Sequence, residues 1–260
     1  MAGGRRPLGR LAVGAATFAV LAAAWYLATS ATHLIPSIYL PMPGEVGDAL
    51  RQIVVDGYAD GRLHQHFLHS SALVLMGFAA AIAIGVPLGM WMGWSWRAEA
   101  FVNPVFLLIR PIPPLAWIPL AIVWLGLGDA AKVLVIWFAA FVPAVINSYA
   151  GVRTIERYLI EAAQSLGIRG SALVREVLVP GALPLIFTGL RLSLQACWTT
   201  LVAGELIGAI TGLGHVLYQA GLDIYPAMIV VGMLSVAVAG ALMTHVLGWI
   251  EARAMPWRTA

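Results

Sequence analysis

Three charged side chains fall inside long apolar runs of this chain: Arg110, Arg191 and Glu205. Each arginine lies roughly ten residues in from the end of its run, about 15 Å along a helix and close to the middle of a bilayer. An ion at that depth must face the protein interior, pair with a carboxylate or carbonyl, or line water. Two kinds of chemistry fit. A guanidinium in a wet path would attract an anion and could gate it, with Gln195 one turn beyond Arg191 in the same candidate set. Alternatively, both arginines brace helix ends and bond carbonyls freed by Pro111, Pro113, Pro114 and Pro119, which bring no backbone donors. Four prolines in so short a run imply an irregular segment that lines a pathway or is covered by neighbours. Glu205 could pair with Lys132 or gate the outer mouth. Trp117, Trp124 and Trp198 could enclose a small solute, although helix packing accounts for them as well.

Other chemistry is weaker. His64, His66 and His69 resemble a metal-ligand cluster, but no acidic or thiol partner adjoins them in sequence, and an interfacial role is expected instead of a metal site. The single cysteine, Cys197, allows no intrachain disulfide. There is no Gly-x-Ser-x-Gly and no His-Glu-x-x-His, so no catalytic residue is assigned and the chain is not expected to be an enzyme. The only lysine, Lys132, follows Asp129-Ala130-Ala131, so no phosphate-cradling Gly-x-x-x-x-Gly-Lys loop exists in this chain.

The elements that must position these residues follow from composition. The chain is 61% hydrophobic and 10% charged over 260 residues, with a mean hydropathy of +0.88, far outside the range of a soluble domain. Apolar runs predict an all-α membrane protein with six spans: Leu11–Thr29, Phe67–Met92, Phe101–Leu127, Val133–Ala150, Leu183–Ile210 and Ala227–Ile250. The first exceeds a signal-peptide core and is expected to be retained. Arg110 to Pro114 interrupt the third. Arg5, Arg6, Arg10, Arg97, Arg153, Arg157, Arg169, Arg175, Arg253 and Arg258 fall on one side of this arrangement, and only Arg51, Arg62 and Lys132 on the other. The positive-inside rule then puts both termini in the cytoplasm, with Ser30–His66 and Thr211–Pro226 outside. The arginines form no basic stripe, so no nucleic-acid partner is expected.

Gly77, Ala81, Gly85, Gly89 and Gly93 repeat every four positions and predict a close helix-packing seam, within the chain or between copies. No soluble-type repeat or linker divides residues 1–260, which are taken as one transmembrane domain.

The longest charged stretch of the second half runs from Glu161 to Pro184, and Glu156 to Gly170 at its head carries helix-forming residues and charges. Its pattern predicts a short amphipathic helix with Ile160, Ala163 and Leu166 near one face, followed by turns at Gly167 and Gly170. A lipid-lying helix usually carries many basic residues and large apolar anchors. Glu161-Ala162-Ala163 instead offers a carboxylate and two small side chains, which suit close docking against a protein partner bearing an arginine.

These residues resemble the signature of the inner-membrane permease subunits of bacterial ABC importers. That signature is Glu-Ala-Ala, a glycine four residues on, then nine residues and Ile-x-Leu-Pro. Here Glu161-Ala162-Ala163, Gly167 and Val177-Leu178-Val179-Pro180 fit the spacing, with valine twice in place of a larger aliphatic. The run RPIPPLAWIPL from Arg110, WLGLG from Trp124, Gly189-Leu190-Arg191 and Ala203-Gly204-Glu205 resemble the taurine, sulfonate and nitrate branch, and PPLAW is most similar to taurine permeases.

The resemblance implies the type I importer permease fold with six transmembrane helices. It makes the Glu161 segment (Glu161, Ala162, Ala163, Gly167) a coupling helix that sits in a groove of a separate ATPase, which binds the ATP and Mg. It implies a second permease copy as a homodimer, an extracytoplasmic substrate-binding protein, and a bacterial inner-membrane location. The expected solute is small and anionic or zwitterionic, taurine or another alkanesulfonate. Nitrate, bicarbonate or a pyrimidine precursor within the same importer class is the alternative, and an autonomous channel or secondary transporter the other class.

Overall fold

The structure is a computed structural model describing residues 7–32, 34–206 and 209–258, with side chains from Val13 onward as far as Trp257. Arg5 and Arg6 lie outside the described residues, as do the side chains of Arg10 and Arg258. The chain forms α1 (Pro7–Tyr26), α2 (Pro43–Val55), α3 (Leu63–Trp94), α4 (Trp96–Ile109), α5 (Ile118–Leu125), α6 (Asp129–Arg153), α7 (Arg157–Ser165), α8 (Ser171–Glu205), α9 (Leu213–Leu222) and α10 (Pro226–Ala254). Five of these helical segments are long and apolar enough to cross a membrane, or six spans if the bent α4–α5 pair counts as one.

α3, α6 and α8 form the centre. The small-residue stripe of α3 is an intrachain seam against α6: a Cβ on Gly77 would strike Ile136, one on Gly85 would meet Ala144 and Phe141, and one on Gly89 would overlap the Val145 carbonyl. Without side chains there, the two backbones approach closely and gain dispersion contacts that do not depend on expelling water. α8 packs on the other side of α6. Ser193 Oγ donates to the Ala140 carbonyl at 2.7 Å, and Gly189 lies against Asn147 and the Pro143 carbonyl. Asn147 Nδ2 also donates to that carbonyl, at 2.9 Å. Leu73, Val74, Ile136, Leu194 and Leu201 fill the space between the three helices.

The interruption expected in the third apolar run is a bend: α4 and the Pro114–Leu125 segment meet at 86°, because Pro111, Pro113 and Pro114 remove donors and a 3₁₀ turn at Pro114–Trp117 restarts the chain. Two sequence expectations change. The fifth helix begins at Ser171, well before Leu183, passing through a π turn at Val174–Leu178; Ile207 and Gly208, near its expected end, lie outside the described residues. The two expected loops also contain helices. α2 starts at Pro43, where the Met42 N–H donates to the Glu45 carboxylate at 2.8 Å, and it buries Val46, Ala49 and Ile53 as one stripe. α9 buries Leu213, Val216 and Ala220.

α1 touches little of the bundle: only 6% of its apolar window is buried. Trp25 Nε1 holds it by donating to the Pro41 carbonyl at 2.9 Å.

Candidate functional site

At one end of the bundle α7 stands after the Arg153 end of α6. Ala163 is buried and Ile160 half-buried, as the spacing predicts. Leu166 is not on that inner face. It is 82% exposed, because the helix has already ended and the chain is turning. The Ile168 N–H closes back on the Ala163 carbonyl at 3.0 Å while Gly167 takes φ +86°, a left-handed stop that favours glycine. Outward, Tyr158, Leu159, Ala162 and Leu166 surround Glu161, which accepts from Arg157 Nε at 2.9 Å. A solvated pair of this kind contributes on the order of 0.3–0.5 kcal/mol and leaves the carboxylate open to another arginine. The outer face therefore combines apolar side chains with the exposed Arg157–Glu161 pair.

α7 connects to the broken span through α6. Tyr149 Oη and Arg153 Nη2, both on α6, donate to the two oxygens of Glu99 on α4, each at 2.5 Å. Glu99 was not singled out by sequence, since an acid near an interfacial loop has no distinctive spacing.

α4 leads to the bend. Arg110 and Pro114 line a cavity of about 230 Å³ together with Trp117, Phe138, Pro143 and Ala196. Trp117 stacks on Phe138 with centroids 4.1 Å apart and planes at 10°. Pro113, in the turn itself, is exposed.

A second, larger space lies on another face of α8. Arg191, Gln195, Trp198 and Thr199 on α8 face Gly240 and Thr244 on α10 across a groove of about 540 Å³. Arg191 donates through Nη2 to the Glu251 carboxylate of α10. Glu251 sits in the last turn of α10, so the Arg191 side chain reaches toward the C-terminal end of α10. Of the three tryptophans that could enclose a solute or serve helix packing, Trp117 lines the first cavity, Trp198 the second, and Trp124 is 58% exposed and lines neither. Their positions along the chain gave no sign of these separate faces.

At the opposite end of the bundle is a buried polar knot. Glu205 accepts from Ser70 Oγ of α3 and from the Gly214 N–H at 2.7 Å. Of the two roles open to Glu205, the pairing with Lys132 is not the one made: Lys132 Nζ pairs with Asp129 at 3.0 Å. His66, expected at an interface, is fully buried beside this knot. Its Nδ1 accepts the Gly212 N–H at 3.1 Å and its Nε2 lies 3.0 Å from the Tyr58 carbonyl, which fixes the neutral tautomer with the proton on Nε2. Among the described residues no three His, Cys, Asp or Glu side chains are grouped as metal ligands. Tyr58 Oη donates to Asp223 at 2.5 Å, tying the segment before α3 to the end of α9. Burial, and then the Asp223 carboxylate, push this phenol above its ordinary pKa.

The arrangement is thus a bundle with an exposed amphipathic helix at one end, two polar-lined spaces beside α8, and a knotted cap at the other. Comparison with known proteins follows the same lines. Residues 85–257 match the family described as binding-protein-dependent transport system inner membrane component. The chain is 38% identical over 258 residues to the taurine transport system permease protein TauC of Escherichia coli (strain K12), covering 97% of this chain and 92% of that one. It is 34% identical to a putative aliphatic sulfonates transport permease protein, SsuC, from the same organism, over 92% of this chain and 89% of that one. Among solved structures, an inward-facing form of the MetNI methionine ABC transporter superposes with a TM-score of 0.65 at 23% identity, covering 74% of this chain and 95% of that one. That likeness shows the type I importer permease fold.

Proposed function

The chain belongs to the family of binding-protein-dependent transport system inner membrane components, and from that premise we propose that it is the permease of an ATP-driven importer for taurine or another alkanesulfonate. The observation that carries the reading is α7: an exposed helix with its alanine turned inward and an anion among apolar side chains turned outward, placed where the family signature falls. On this reading α7 seats in the groove of a separate ATPase chain, which supplies the ATP and Mg, and a substrate-binding protein docks at the knotted end. A second copy of the chain completes the pathway as a homodimer, covering apolar surface that one copy leaves open, such as Phe101, Leu108 and Val123.

The arginines support an orientation. Arg97, Arg153, Arg157, Arg169, Arg175 and Arg253 gather at the α7 end, and Arg51, Arg62 and Lys132 at the other, which supports a cytoplasmic α7 end and both termini on the cytoplasmic side of a bacterial inner membrane. Closure of the ATPases would push α7, and the Glu99 grip would pass that motion to the bent span with Arg110. Nitrate, bicarbonate or a pyrimidine precursor remains the alternative cargo within the same class.

The test is uptake of labelled taurine into vesicles holding the full complex, with its binding protein outside and ATP inside. The reading predicts accumulation that requires ATP. Equal flux with and without ATP would contradict it.

A further inference from the structure

We infer that Arg191 selects the solute by its acid group, and that Glu251 is an internal counter-ion which the solute's acid group displaces. This rests on the reading of the chain as a sulfonate-class permease and assigns that specificity to one ion pair within it.

The two partners are unequally placed. The Arg191 side chain is 50% exposed while that of Glu251 is 11% exposed, so the acid stands behind and the guanidinium stands between it and the groove. Glu251 engages Nη2. A guanidinium carries five donors in a planar fork, and those not turned to Glu251 are available to a tetrahedral acid group such as a sulfonate, which accepts in the same two-pronged way as a carboxylate. A half-exposed arginine on a membrane helix is incompatible with facing hydrocarbon, so this groove opens on water or on protein.

The groove has the size and chemistry for a small acid. Its α10 wall is Ala237, Gly240 and Ala241, whose small side chains leave a space of about 540 Å³. Gln195 and Thr199 on α8 and Thr244 on α10 offer neutral hydrogen-bonding groups around Arg191. Trp198 Nε1, in the same wall, is a buried donor without a partner. A second opening of about 670 Å³ shares Arg191, Ala241 and Thr244 and continues past His245 to Gly248 and Trp249, toward the α7 end. Arg191 therefore stands where two spaces meet, with its guanidinium against the last turn of α10. An anion reaching it exchanges one carboxylate for another acid group, so the guanidinium is never left without a counter-charge. That exchange keeps the site from holding its cargo too tightly to release it.

The asymmetry makes the idea testable by moving the charges. R191E/E251R keeps an ion pair between α8 and α10 but puts the guanidinium in the recessed position. R191Q/E251Q removes both charges of the pair together. Each would be co-expressed with the ATPase and binding protein, checked for assembly, and assayed for ATP-dependent uptake of labelled taurine beside the wild type. The proposal expects both variants to assemble and both to lose uptake by about tenfold or more, the scale of one lost charge-assisted contact. A smaller loss in either assembled variant would overturn it, because a brace is indifferent to which helix holds the arginine. Failure of both to assemble would overturn it equally, by making the pair structural. A wild-type complex that takes up neither taurine nor ethanesulfonate would remove the sulfonate reading itself, and this inference with it.

Discussion

Ser70 on α3 and Glu205 at the end of α8 share one hydroxyl: Ser70 Oγ lies 2.8 and 3.0 Å from the two carboxylate oxygens and accepts the Leu213 N–H at 2.8 Å. With the Gly214 N–H on the same carboxylate, the pair caps the start of α9 and fixes it to two long helices. The Ser70→Ala variant would leave the buried Leu213 N–H without a partner, at a cost of about 1–3 kcal/mol. Hydrogen exchange at Leu213 and Gly214 is expected to speed up by roughly tenfold or more, while exchange in α6 stays as it was. Unchanged protection at those two amides would show that the knot does not hold α9.

Gly89 and Gly248 make a controlled pair. A side chain at Gly89 meets the Val145 carbonyl and Ser148, whereas nothing lies within 4 Å of a Cβ at Gly248. Gly89→Val is expected to push α3 from α6 and cost about 1–3 kcal/mol or more, seen as lost expression and a lower Tm in detergent. Gly248→Ala is expected to leave Tm unchanged. Equal effects would contradict the seam.

Gly167 has open space around its Cβ but a φ of +86°. Gly167→Ala therefore introduces no clash and only conformational strain, about 1–2 kcal/mol. The expected outcome is a chain that still folds but presents α7 with a misplaced end, so ATPase association weakens while the Tm of the bundle falls little. Unaltered association would show that the turn plays no part in docking.

Glu99 joins α4 to Tyr149 and Arg153 of α6. Glu99→Gln keeps the size and removes the charge from this grip, so the complex is expected to spend more ATP for each solute moved. An unchanged ratio of ATP hydrolysed to taurine accumulated would remove Glu99 from the transmission path.

Much of this was legible in sequence, and the part that was not has a common physical cause. Apolar run length reveals spans because lipid imposes it, and the four-residue glycine stripe reveals the α3 seam because close approach requires it. The α7 helix and its glycine stops are local features of about fifteen residues. Pairings across the bundle are different. Ser70 and Glu205 are 135 residues apart and Arg191 and Glu251 are 60 apart, and no periodicity links them. Lys132 was an attractive partner for Glu205 because both are charged, yet Asp129 lies one helical turn before it and takes the lysine. α2 carried its signals in Pro43, Glu45 and the stripe Val46, Ala49 and Ile53, but its low apolarity placed it among loops when span length was the criterion. The three tryptophans show the same limit from another side, since composition brought them together and helix faces separate them.

The most direct test of the central claim is to purify the tagged chain gently from native membranes beside a Glu161→Arg variant and identify what comes with each by mass spectrometry. Reversing the charge at the centre of the exposed α7 face should repel an arginine-bearing groove while leaving the bundle intact. The account predicts a P-loop ATPase with the wild type and its loss, by about tenfold or more, from the variant. The same ATPase in equal amount with both, or with neither, would contradict α7 as the docking helix.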